Sequence, residues 1–320
     1  MGSRKQTVIV YKMGEKSKLP NQRNPARDYA SNNKRRLIMK KIGFIDCFLS
    51  NWHANNYPAW IRESCQERGL EYEVAYAWAE VEVSPRDGKT TDQWCAENNV
   101  VRCNSIEEIC EKSDVLFILA PTNPEKHLEY AKIALKYGKR TYIDKTFAPN
   151  YAEAAEIFAL ADQYGTQCFS TSALRYGTEL DTFENPTKVV TTGAGRTADE
   201  YIVHQVEMIV KLLGCNTKAV KATKESDTRI VYEVAFADGK SATAIWDTSL
   251  GFTATSIKEN GEEDKKAINS PFFKILLDKI VVFFETGEVD FDRIETLTGM
   301  KIREYMLANE GEWVEVAPVV

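Results

Sequence analysis

Between Ser113 and Thr146 the chain reads SDVLFILAPTNPEKHLEYAKIALKYGKRTYIDKT, and few folds accommodate that order of signals. Val115 to Ala120 is a solid apolar run, too short to span a membrane and without the alternation of a half-exposed strand. It predicts a strand buried on both faces, the kind found in parallel sheets. A turn at Pro121 to Pro124 follows, with Asn123 placed to cap the next helix. His127, Tyr130, Ala131, Ala134 and Leu135 recur at helical spacing, and Gly138 stands where that helix would stop. A second short strand, Arg140 to Ile143, delivers Asp144 and Lys145 at its C-terminal end. Open α/β sheets bind ligands at the carboxyl ends of their strands. Lys145 is therefore placed where chemistry would happen.

The same grammar surrounds this unit. Lys41 to Cys47 is a short apolar strand, and Trp52 to Arg68 follows as an amphipathic helix. Glu71 to Trp78 is a second strand, Asp92 to Glu97 a helix and Val100 to Cys103 a strand. Ser105-Ile-Glu-Glu opens a helix with capping spacing. Beyond Lys145 come a helix over Tyr151 to Tyr164 and a sixth strand over Thr166 to Ser170. The alternation predicts a Rossmann-like, doubly wound parallel sheet over residues 39–170. After Ser170 the pattern changes. A helix within 193–214 precedes strands at Lys218 to Thr223, Arg229 to Phe236, Ser241 to Asp247 and Phe252 to Lys258, with Asp238-Gly239 as a hairpin turn. Helices over Phe272 to Thr286 and Asp290 to Ala308 and a last strand, Trp313 to Val316, close the chain. Residues 171–320 thus predict an α+β domain with a mainly antiparallel sheet.

Composition excludes several function classes. The 320 residues carry seven scattered cysteines without a CxxC pair, which reads as reduced thiols in a cytoplasmic protein. The three histidines have no ligand spacing, so no metal site is expected. No run approaches the length of a membrane span. Residues 1–38 hold ten Lys/Arg against two acids, a net of +8, which leaves −14 for the remainder of a chain whose total is −6. So acidic a body repels duplex phosphates and argues against a nucleic-acid partner. The basic segment 1–38 is polar and aperiodic and is expected to be a disordered extension ahead of a natural start at Met39.

The sequence strand, APTNPEKH, helix, GK, strand, acidic residue and Lys resembles the glucose–fructose oxidoreductase / inositol dehydrogenase / MocA (Gfo/Idh/MocA) family. That family carries Glu-Lys-Pro where this chain has Asp144-Lys145-Thr146. It carries Asp-x-x-x-His-x-x-Asp where this chain has Glu200, His204 and Glu207. The segment FFETGEVDFDRIETLTGMKIREYML is similar to the family's C-terminal helix pair, so the resemblance runs from 39 to 320. It implies NAD or NADP as cofactor, a small-molecule substrate, and a homodimer or homotetramer built by pairing second-domain sheets.

One departure is large. The dinucleotide fingerprint GxGxxG uses glycines for a tight turn and for close approach to pyrophosphate. Here those positions hold Asp46, Phe48 and Asn51, and an aspartate would repel phosphate. His53, beside Trp52, either replaces glycine contacts with side chains or helps plug the space. Trp78 ends the second strand, where it can stack on adenine or simply pack; Glu80 is a ribose ligand or a solvated loop acid. The resemblance puts Pro121, Asn123 and Lys145 among the cofactor contacts and His127 on the nicotinamide side, although a helix-start histidine can equally make a capping contact.

Glu200, His204 and Glu207 share one helix face at i, i+4 and i+7. A histidine between two carboxylates favours its charged form, which tunes it for proton transfer near neutrality. The bland alternative leaves all three solvated. If His204 and Lys145 converge, a substrate C–OH can lose its proton to His204 while Lys145 polarises the oxygen. Arg175 and Tyr176 line the substrate cleft or pack at the domain junction, and Glu207 is a further substrate candidate. The expectation is an NAD(P)-dependent oxidoreductase acting on a CH–OH group of a sugar, polyol or related hydroxy compound. The alternative is a non-catalytic binding or regulatory relative that no longer holds dinucleotide; a lyase or isomerase with a tightly held cofactor stands third.

Overall fold

A computed structural model describes residues 38–319 of the chain. The expectation of a disordered extension therefore lies, except for Ile38, outside the described residues. The apolar run at 115–118 is β4 (Val115–Ile118), with all four side chains buried. Each such side chain contributes about 1.5–3 kcal/mol relative to exposure. β4 lies between β1 (Lys40–Asp46) and β5 (Thr141–Ile143), parallel to both. β2 (Tyr72–Ala79) and β3 (Val101–Arg102) extend the sheet beyond β1, and β6 (Cys168–Phe169) closes it beyond β5. The order β3-β2-β1-β4-β5-β6 is that of a doubly wound dinucleotide-type sheet, as the sequence predicts.

The helices begin and end on local chemistry. α1 (Trp52–Arg68) starts where the Asn51 side chain accepts the Ala54 N–H at 3.0 Å, and stops at Gly69, whose φ of 65° suits the left-handed cap. α2 (Thr91–Asn98) carries a reciprocal Thr90–Gln93 capping box. In α3 (Ile106–Lys112) the Ser105 hydroxyl accepts the Glu108 N–H at 3.1 Å, as its spacing predicts. α4 (His127–Ala134) is entered through a 3-10 turn at Pro124–Lys126. Asn123 makes no capping bond there. Its backbone is not in the extended conformation a cap needs, and its amide donates instead to Glu125 at 2.9 Å. α5 (Tyr151–Tyr164) is capped by Asn150 and leads to β6.

The second sheet runs β12-β11-β7-β10-β9-β8-β13. Its strands are β7 (Lys188–Gly193), β8 (Thr217–Ser226), β9 (Arg229–Phe236), β10 (Ser241–Asp247), β11 (Thr253–Ile257), β12 (Glu263–Ala267) and β13 (Val314–Glu315). It is antiparallel except where β7 and β10 run parallel. Buried and half-buried residues alternate along β9, β10 and β11, so one face packs inward. α6 (Ala198–Leu213) covers that face, and α8 (Arg293–Ala308) packs on α6.

α7 (Phe272–Thr286) follows the second sheet in sequence but packs on α1 and on the first sheet. Phe117 of β4 meets Phe284 of α7 edge-on at 5.2 Å, and meets Phe44 of β1 and Tyr142 of β5 at 5.2 and 5.4 Å. Ile38–Val320 consequently forms one compact unit. The expected boundary after residue 170 separates two sheets rather than two independent bodies.

Candidate active site

At the carboxyl ends of β4 and β5 a cavity of about 320 Å³ opens between the two sheets. The start of α1 supplies Trp52 and His53, the turn after β4 supplies Pro121 and Thr122, and the end of β5 supplies Lys145. Across from them α6 presents Glu200, Tyr201 and His204, while Phe252 and the start of α7 complete an aromatic wall. A larger open depression of about 990 Å³ over residues 180–187 is lined by none of these groups.

Lys145 is held by a hydrogen bond from Nζ to the Pro121 carbonyl at 3.2 Å, and Nζ stands 6.0 Å from the centre of the Tyr201 ring. Burial pushes its ammonium below the usual lysine range, against the pull of Asp144 and Glu200. His204 is buried, with Nδ1 2.7 Å from the Ser172 hydroxyl. Burial, then the charges of Lys145 and His53, hold its imidazole well below the usual range. The expectation that two carboxylates would favour its charged form is corrected here. Glu200 turns back to Arg196 at 2.5 Å, and Glu207 turns to Thr171 at 3.1 Å and to Arg175 at 3.5 Å. The neighbours of α6 draw its acids apart, and burial raises the Glu207 carboxyl.

A further pair emerges that the sequence reading did not assemble. His53 Nδ1 is hydrogen-bonded to the fully buried Asp144 carboxylate. The Tyr57 hydroxyl stands 3.1 Å from the same nitrogen and 3.4 Å from Asp144. Burial raises the Asp144 carboxyl, but the charge and hydrogen bond of His53, with those of Lys145, outweigh it and leave it below the usual range. The two residues are 91 positions apart, so no local periodicity links them. The usable signal was topological, because a helix starting after β1 and the end of β5 share one crevice.

Other candidates lie elsewhere. His127 is fully buried and lies between two carbonyl oxygens, Leu119 at 2.7 Å and Phe147 at 3.1 Å. It ties the β4 and β5 ends together and does not line the cleft. Arg175 is buried against Glu295, Glu207 and the Phe291 ring, so it braces the junction. Tyr176 donates to Asp290 at 3.0 Å, away from the cleft lining. Trp78 packs edge-on against Tyr130 at 5.6 Å. Glu80 pairs with Lys126 at 2.7 Å and accepts from the Tyr130 hydroxyl at 2.5 Å.

Residues 66–172 match a family model described as "Oxidoreductase family, NAD-binding Rossmann fold". Over this third of the chain the sequence is similar to the Gfo/Idh/MocA oxidoreductases. The match includes Lys145 and begins only after the turn that follows β1. The uncharacterized oxidoreductase YhhX of Escherichia coli K12 is 32% identical over 89 residues, covering 28% of this chain and 26% of YhhX. The aligned stretch thus spans about a quarter of that relative. Among solved structures, an NAD binding oxidoreductase from Klebsiella pneumoniae superposes with a TM-score of 0.68 at 12% identity, over 88% of this chain and all of that one. An aldose-aldose oxidoreductase from Caulobacter crescentus, complexed with glycerol, gives 0.66 at 13% identity, over 87% of this chain and all of that one. At such identities the likeness is one of fold alone.

The family model is that of NAD binders, and NAD or NADP is the cofactor it implies. The turn after β1 departs from what a dinucleotide needs there. Phe48, Leu49, Ser50 and Asn51 are buried. The Asn51 carbonyl oxygen already takes the Ala54 N–H, and its amide donates to Asp46 at 2.7 Å. Asp46 also accepts the Ala120 N–H at 3.1 Å, and burial raises its carboxyl to about 7. The segment after β2 then covers the turn, with the Val81 N–H on the Cys47 carbonyl at 2.8 Å and the Ser50 hydroxyl on Asp87 at 2.7 Å. These residues do not fit a pyrophosphate at the standard place, since the helix-start donor and the space are both taken.

Proposed function

We propose that the chain is an NAD(P)-dependent oxidoreductase acting on a CH–OH group of a sugar, polyol or related hydroxy compound. One observation carries this reading: Lys145, just after β5, and His204, on α6 opposite, line a single cleft at the carboxyl ends of the parallel strands. The lining supports the substrate class. Aromatic faces at Trp52, Phe252 and Phe273 suit the C–H surfaces of a polyhydroxy ring, and Lys145, Glu200 and the imidazoles suit its hydroxyls. The ammonium of Lys145 holds the substrate oxygen, and His204 stands across the cleft as a proton partner. NAD or NADP would enter in a pose shifted away from the turn after β1.

A second reading is favoured by that same covered turn. The chain would then be a binding or regulatory relative that takes the small molecule without dinucleotide. Incubation with NAD⁺ or NADP⁺ and a panel of aldoses, cyclitols and hydroxy acids separates the two. Appearance of reduced nicotinamide supports the oxidoreductase, whereas sugar binding by calorimetry with neither turnover nor dinucleotide binding supports the second reading. Seven free thiols and the lack, among the described residues, of any helix able to cross a membrane support a cytoplasmic placement. The half-exposed outer face of β9, β10 and β11 supports the pairing of two copies.

A further inference from the structure

The cleft contains a proton acceptor that the reading above does not use. We propose that His53, oriented by Asp144, takes the place given above to His204 as the general base of this site. The inference rests on the oxidoreductase reading for its substrate and on geometry for its assignment.

His53 sits in the first turn of α1, and its ring both lines the cleft and is nearly enclosed. Tyr57 stacks under it at 4.9 Å, while Trp52 and Phe273 meet it at 5.4 and 5.9 Å. The ring is thus fixed on three sides. Its Nδ1 faces Asp144, whose other contacts include the Lys145 N–H at 2.8 Å and the Tyr57 and Tyr142 hydroxyls, each at 3.4 Å. An ionised carboxylate on Nδ1 selects the tautomer with hydrogen on Nδ1 and the lone pair on Nε2. Among the described residues Nε2 has no hydrogen-bond partner, and it is not among the enclosed atoms left unsatisfied. The lone pair is therefore open to the cleft.

His204 lines the same cleft and is as enclosed, between the Tyr201 and Phe252 rings, but it lacks the carboxylate. A serine hydroxyl, not a carboxylate, sits on its Nδ1. A proton on it would meet Lys145 with no anion behind the ring, because Glu200 is engaged by Arg196. A proton on His53 is met by Asp144 at once. The step is a proton transfer: the substrate O–H bond breaks, the proton joins Nε2 of His53, and the electron pair stays on an oxygen faced by the Lys145 ammonium. The charges around the acceptor are Asp144 and Lys145 from the β5 end, Glu200 and His204 from α6, and Arg86 at the cleft mouth.

With only three histidines in the chain, each imidazole can be followed singly. The first measurement is nitrogen NMR of the intact protein at neutral pH; His53 should show hydrogen on Nδ1 and a bare Nε2. The second is diethyl pyrocarbonate, read by peptide mass. The imidazole lone pair attacks a carbonyl carbon of the reagent, and ethyl carbonate leaves. His53 should be carbethoxylated fastest of the three, several-fold more slowly in Asp144→Asn, and at an unchanged rate in Tyr57→Phe. A hydrogen on Nε2, or a His53 that reacts no faster than His127, overturns the proposal. If Asp144→Asn does not fold, the tautomer of the native protein decides alone. Neither readout needs turnover, so an absent dehydrogenase activity would sink the parent reading while leaving this one measured. Where turnover is found, His53→Gln should flatten the acidic limb of the kcat profile. An unchanged profile overturns the assignment.

Discussion

The Lys145 ammonium is bonded to the Pro121 carbonyl at 3.2 Å, so the end of one central strand is fastened to the turn that leaves the next. This bond holds the amine beside a turn that lines the cleft with it.

Lys145→Ala should lower kcat by about 10²–10³-fold, the range for loss of a donor that faces a developing oxyanion. The effect on KM should be far smaller, because a lost transition-state contact appears in kcat and kcat/KM together. Steady-state kinetics on any substrate found in the sugar panel test this. A change confined to KM would show that Lys145 only binds.

The covered turn after β1 predicts weak dinucleotide affinity. Titration calorimetry with NAD(H) and NADP(H) should give dissociation constants above the micromolar range. The positive end of α1 can still contribute about 0.3–1 kcal/mol to a nearby anion. Sub-micromolar binding would mean that the segment after β2 moves aside readily.

Stability should depend on pH through Asp46. Its folded carboxyl titrates near 7, raised first by burial, against an unfolded value of 3.8. A raised acid contributes stability in full below the unfolded value and loses it as pH climbs through the folded one. The native protein should therefore lose ground to Asp46→Asn between about pH 4 and 7, by up to a few kcal/mol, and hold a constant difference above. Urea unfolding at several pH values tests this. A pH-independent difference would place Asp46 in an ordinary carboxylate environment.

Phe117→Ala should destabilise the chain by about 3–5 kcal/mol. The ring is fully buried and meets Phe44, Tyr142 and Phe284 edge-on. A loss below 1 kcal/mol in urea unfolding would mean that the first sheet and α7 do not share a core.

The parts legible in the sequence were those with a local signature. Val115–Ile118 is apolar throughout because both of its faces are covered, and Gly138 marks a helix stop because its φ of 67° is left-handed. Two strands escaped. β7 runs into Gly193 and Gly195 and so reads as loop, although Val189 and Thr191 alternate inward. β12, Glu-Asp-Lys-Lys-Ala, has no apolar face and exists because it pairs with β11 at the sheet edge. At the site, the shared face of Glu200, His204 and Glu207 was readable from spacing. Their partners were not, since Arg196 lies in the turn before the helix and Arg175 and Ser172 come from another segment.

Helix α7 begins with Phe272 and Phe273 on the cleft wall and ends with Phe283 and Phe284 sunk beneath the first sheet. Spreading the two sheets to admit a bulkier guest would draw those last two rings toward water, at about 1.5–3 kcal/mol apiece. The opening thus behaves as a rigid sieve. A guest is sorted by girth on the way in, and the burial that holds the Lys145 ammonium below the usual lysine range is already present in the resting protein.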